Sequence, residues 1–135
     1  MRVGDWSPAA EILVVSQDQS LMLPARQAVD HEQQIESLAS LGALPQAIRW
    51  PYLKVIVLDD ELLPSSDPAA PLIRMRECAP LASLIYVAGR HGFEIERWAR
   101  GFGISYYASK PVEFDRFAAI LRNFLKLGSK PDTSR

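Results

Sequence analysis

Val55–Asp67, VIVLDDELLPSSD, pairs a buried-strand signal with a cluster of acids. Its first four residues are β-branched or aliphatic without polar alternation, which is how a strand covered on both faces reads. Acidic residues follow at once, at Asp59, Asp60 and Glu61. Two similar runs flank it, Ile12–Val15 and Leu84–Val87. Weaker strands are expected at Gln34–Leu38 and Ser105–Ala108. Helical patterns are expected near 19–31, 43–50, 68–78 and 92–101, with Pro24 expected to kink the first. The clearest helix follows Pro111: Phe114, Phe117, Ala118, Leu121 and Leu125 recur at three- and four-residue steps, and Gly128 is expected to end it. Strands alternating with helices predict an α/β doubly wound parallel sheet of five strands, with helices on both faces.

The chain has 135 residues, enough for one such domain. The expected division is an N-terminal extension at 1–10, a folded domain at 11–127 and a flexible tail at 128–135. Fifteen Lys and Arg against sixteen Asp and Glu leave a net charge of −1. No basic stripe is available to neutralise nucleic-acid phosphates, so nucleic acid is not an expected partner. The single cysteine, Cys78, cannot form an intrachain disulfide and has no zinc-ligand spacing around it; it reads as a core or helix-end residue. The first apolar run is too short for a signal peptide or a membrane span. These features predict a cytoplasmic protein with no membrane partner.

In an open parallel sheet, ligands bind outside the carboxyl ends of the strands. Polar residues fall there: Ser16, Gln17 and Asp18 after the first strand, Asp59 to Glu61 after the third, and Ser109 and Lys110 after the fifth. Strand alternation sends only one of Asp59 and Asp60 into such a pocket. No G-x-x-x-x-G-K-[ST] is present, so the acidic strand end is not part of a P-loop. Gly89–Gly92, GRHG, is too short for a dinucleotide fingerprint and reads as a mobile loop. His31 and His91 stand alone in the sequence, without an oriented partner for acid–base work.

These spacings together resemble the receiver domains of bacterial response regulators, from Glu11 to Leu127. In that family's third-strand pattern, the phosphorylated Asp is followed by Pro four residues on and often Asp seven on; here this register selects Asp60, with Pro64 and Asp67. Gly103–Pro111, GISYYASKP, is similar to the family's Gly-Ala-x-x-Tyr-x-x-Lys-Pro signature, and Gly42 falls where the family has Gly before its second helix.

The resemblance implies a flavodoxin-like sheet with strand order 2-1-3-4-5, a phosphoacceptor at Asp60 and Lys110 pairing with the phosphoryl oxygens, while a Mg²⁺ ion would fall to Asp60 and to Asp18, the one carboxylate left after the first strand. It places the aromatic switch at Tyr107 and the switch hydroxyl at Ala88. Asp59 is expected to point away as a capping or surface acid. Two parts depart from the family. Ser16 and Gln17 replace its acidic pair, and Ala88 carries no hydroxyl. Losing carboxylate ligands weakens metal binding by at least ~1.4 to 2.7 kcal/mol.

The expected function is therefore a stand-alone, non-enzymatic signal-transduction module of two-component type. Its Mg²⁺-dependent phosphorylation is expected to be impaired, and it acts by protein contact. A working phosphoacceptor, phosphorylated at Asp60 by a histidine kinase and completed by Asp18, is the first alternative. A small phosphohydrolase is the second, disfavoured because the sequence offers no general base or second ligand set. Expected partners are a histidine kinase or an output protein. Trp98 and Tyr107 lie on the expected partner face, formed by the fourth helix, fifth strand and fifth helix, which also offers a homodimer surface.

Overall fold

The computed structural model describes residues 9–47, 49 and 52–129. Five strands, β1 (Ile12–Val15), β2 (Ile35–Leu38), β3 (Val55–Asp59), β4 (Ser83–Ala88) and β5 (Tyr106–Ser109), form one sheet in the order β2-β1-β3-β4-β5. Every pairing is parallel. Helices α1 (Gln19–Ala28), α2 (Leu44–Ala47), α3 (Ala69–Cys78), α4 (Phe93–Arg100) and α5 (Phe114–Ser129) connect and cover the strands. This is the expected doubly wound architecture.

The three apolar runs become the three central strands because both of their faces are covered. Ile12, Val14, Val55, Val57, Ile85 and Val87 pack with α1 and α5, through Leu21, Ala25, Phe117 and Leu121. Leu13, Val15, Ile56, Leu58, Leu84, Tyr86 and Ala88 point to the other face, against Leu44, Leu72, Met75 and Ala99. Alternate residues of each strand thus feed opposite cores, and a polar residue in either register would need a partner. No described helix is long and apolar enough to cross a membrane.

Several local expectations differ from the structure. Helix α1 ends at Ala28, short of the expected 31, and includes Pro24, which is buried along with Leu21, Met22 and Ala25. The carbonyl deprived of its donor belongs to Ser20, in the exposed first turn, where water can satisfy it. Pro71 is the third residue of α3, where its missing N–H costs little because first-turn N–H groups lack helical partners. The helix expected at 43–50 is a single turn, Leu44–Ala47, after a tight turn at Leu41–Ala43 that contains Gly42. Residues 48 and 50 of that expectation lie outside the described residues. Helix α5 runs one residue past the expected stop at Gly128. Residues 1–8 and 130–135 of the expected extension and tail also lie outside the described residues. Gly103 has φ +78°, a left-handed conformation that favours glycine, at the turn before β5.

Candidate functional site at the carboxyl edge of the sheet

Parallel strands end on one edge, so Ser16, Asp59, Gly89 and Lys110 are brought together from four different parts of the chain. Lys110 is its centre. Its ammonium lies 2.8 Å from Asp59 Oδ2, 3.0 Å from Asp18 Oδ2 and 3.5 Å from Glu61 Oε2. The backbone holds it in place, with Lys110 N donating to Ala88 O at 2.9 Å.

The expected register is wrong by one residue. Asp59, not Asp60, enters the lysine pocket. The reason is strand parity: Val55, Val57 and Ala108 share one face of the sheet, and Asp59 and Lys110, each two residues further on, follow onto that face. Asp59 is only 2% exposed. Ser16 Oγ donates to its Oδ2 at 2.6 Å, and Glu61 N donates to its Oδ1 at 3.1 Å. Thus Ser16, read from the sequence as a lost acid, is a donor to the buried carboxylate. Its oxygen also accepts from Asp18 N at 2.9 Å, which ties the first loop to β3.

Asp60 begins a tight turn, Asp60–Leu62, that carries its side chain to the opposite face. There Gly89 N donates to Oδ1 at 2.8 Å and the Tyr86 hydroxyl donates to Oδ2 at 3.0 Å. The signal for Tyr86 was present only as a strand residue, because nothing in the spacing of Asp60 and Tyr86 announces a contact across 26 positions. Burial first, and then the Asp60 charge, push the Tyr86 phenol far above its ordinary value. It therefore remains a donor.

Of the switch residues, Ala88 is fully buried in the core and Tyr107 is half-buried. Tyr107 stacks on Tyr86 with centroids 5.8 Å apart. Its hydroxyl lies 3.3 Å from His91 Nδ1, so His91 is not solitary in the fold. Trp98 is 36% exposed and meets Tyr86 and Phe102 edge-on. Asp67 accepts from Ala70 N at 3.3 Å, anchoring the start of α3, and Cys78 is exposed at the end of that helix.

Burial depresses the Lys110 pKa, but hydrogen bonds and charge from Asp59 and Asp18 more than reverse this, leaving it well above the ordinary lysine value. Asp18 is shifted down, chiefly by hydrogen bonds from Ser20 and then by Lys110. The raised lysine contributes stability that is present below its ordinary pKa and lost as pH rises through the raised one. The lowered aspartate contributes stability that is present above the ordinary carboxylate range and lost as pH falls through its lowered pKa. Neither changes near neutrality. Asp18→Asn is accordingly expected to make stability fall less steeply in acid and to shrink the alkaline limb, since Asp59 is then the main group holding the Lys110 pKa up, as measured by urea unfolding across pH.

A Mg²⁺ ion held by Asp18 and Asp60 does not fit this arrangement. Magnesium asks for six oxygens in near-octahedral geometry at about 2.0–2.1 Å. The carboxylates that converge are Asp18, Asp59 and, more loosely, Glu61, and they converge on an ammonium. Asp60 is turned to Tyr86 and Gly89, while Gln17 Nε2 donates to Ala39 O at 2.9 Å. Among the described residues, no group of three or more His, Cys, Asp or Glu side chains is arranged to hold a metal ion.

No family model matches the sequence and no curated protein is detectably similar to it. Solved structures do match. A CheY-like response regulator receiver domain protein from Methanospirillum hungatei is 20% identical, with 89% of this chain and 96% of that chain covered at TM-score 0.71. The receiver domain of a putative Luxo repressor protein from Vibrio parahaemolyticus is 21% identical, with 87% and 91% covered at TM-score 0.70. A putative pilus assembly-related protein from Burkholderia pseudomallei is 16% identical, with 93% and 96% covered at TM-score 0.69. The chain has the CheY-like receiver fold.

Proposed function

We propose that this chain is a non-enzymatic signalling module of receiver type whose acidic pocket is closed by its own lysine and which acts by protein–protein contact. One observation carries the reading: Lys110 bridges Asp59 and Asp18 at 2.8 and 3.0 Å. Phosphoryl transfer to a carboxylate relies on positioning and on a cation that neutralises developing charge. Here the buried carboxylate has both oxygens engaged, and the cation in place is a side chain. The partner is a histidine kinase or an output protein, met on the side that carries Trp98 and Tyr107, and the same side serves if two copies associate. The receiver fold of the similar structures supports the two-component setting.

Incubation with acetyl phosphate and Mg²⁺, followed by intact mass, tests this. No phosphoryl adduct is expected, and adding Mg²⁺ with beryllofluoride is expected to leave the Trp and Tyr fluorescence unchanged. A stoichiometric adduct would favour a working phosphoacceptor instead. Asp59→Asn and Asp60→Asn would then show which carboxylate carries it.

A further inference from the structure

Away from the lysine pocket, on the opposite face of the sheet edge, a groove of about 390 Å³ lies between the loop after β3 and helix α4. Its walls are Leu63, Tyr86, Ile95 and Trp98, and its charged lining residues are Asp60 and Glu94. Both are acids. Among the described residues neither has an ion-pair partner. Asp60 receives two neutral donors, from Tyr86 and Gly89, and retains lone pairs for more. An apolar, aromatic trough with two uncompensated carboxylates is complementary to a cation on an apolar stem.

We propose that this groove receives an arginine side chain, together with an adjacent apolar residue, from a partner protein. The inference rests on the reading that the chain acts by protein contact, and it names the chemistry of that contact.

Three features select arginine on a protein surface. First, among the residues named, Tyr86 alone is buried, while Glu94 and Trp98 are exposed. Small-molecule sites typically bury about 70–90% of their ligand. This open trough needs an occupant that brings its own cover. Second, a guanidinium packs on aromatic rings and forks to carboxylates, whereas an ammonium is more strongly hydrated. Third, the volume exceeds what one side chain fills, leaving space for an apolar neighbour. Tryptophan is also a common anchor at the centre of protein interfaces.

The test uses amide and indole NMR spectra of the full chain, titrated with acetyl-Leu-Arg-Leu-amide, its citrulline counterpart, and phenethylammonium. The arginine peptide is expected to shift the Trp98 indole and the Leu63 and Ile95 amides. The neutral citrulline peptide is expected to bind about five- to tenfold more weakly, and Glu94→Gln, at an exposed position, to weaken the arginine peptide by a similar factor. Equal binding of the two peptides, shifts elsewhere, or no shifts would overturn the proposal. So would phenethylammonium binding more tightly than the arginine peptide, which makes the groove a small-molecule site. Groove shifts that grow with protein concentration alone would make the occupant a second copy, and would equally overturn it. Phosphoryl uptake on Asp59 in the acetyl phosphate experiment would refute the closed pocket and leave the preference for arginine over citrulline standing, so the two readings fail separately.

Discussion

Lys110→Met is expected to destabilise the fold by about 3–5 kcal/mol, the usual cost of removing one partner from a buried ion pair. Asp59 has 3% side-chain exposure and Lys110 14%, so water cannot replace the lost ammonium at the inner carboxylate. Asp59 would keep only the Ser16 hydroxyl and the Glu61 amide. Asp18 is less affected, with a side chain 33% exposed. The measurement is urea unfolding of the wild type, Lys110→Met, Asp59→Leu and the double variant. The double variant is expected to be more stable than Lys110→Met, because an apolar pair leaves no buried charge behind. A single-variant loss below about 1 kcal/mol is what a solvated surface pair gives. That result would remove the basis for a pocket closed from within.

Tyr86 offers the second large effect, because its ring and its hydroxyl do separable work. Tyr86→Ala is expected to cost about 3–5 kcal/mol, as for other buried aromatics truncated to alanine. The ring is 2% exposed, stacks on Tyr107 and meets the edge of Trp98. Tyr86→Phe keeps the ring and removes a hydrogen bond to the Asp60 carboxylate, for which about 1.5 kcal/mol is expected. Near-UV circular dichroism should change strongly for the alanine variant and slightly for phenylalanine. If both variants cost the same, the aromatic stack contributes nothing and the position of Trp98 is set elsewhere.

The central strands were legible because each is a short run, apolar on both faces, rich in β-branched residues and bounded by polar residues. The site was legible as a region for a related reason: all five strands run in parallel, so polar residues after each strand must share one edge. The particular contacts were not legible. The Pro64 and Asp67 spacing pointed to Asp60, and it says nothing of whether β3 ends one residue earlier or later. The strand includes Asp59, so that residue inherits the Val57 face while the following turn rotates Asp60 away. In the chain Ser16 is marked by what it lacks, a carboxylate, whereas in the fold its hydroxyl donates to Asp59 on the neighbouring strand.

The class of fold, the order in which strands and helices alternate, and the edge where Lys110 meets acidic residues are all legible in the chain alone. These depend on local hydrophobic periodicity and on chain order, both of which are properties of short windows. Packing settles which aspartate meets the lysine, that Tyr86 and Gly89 hold the other, and that an acidic groove opens beside Trp98. Those outcomes depend on the face to which a side chain is turned. A shift of one residue reverses that face along a strand, and partners lying 26 to 51 positions apart settle it by packing and charge rather than by any local pattern.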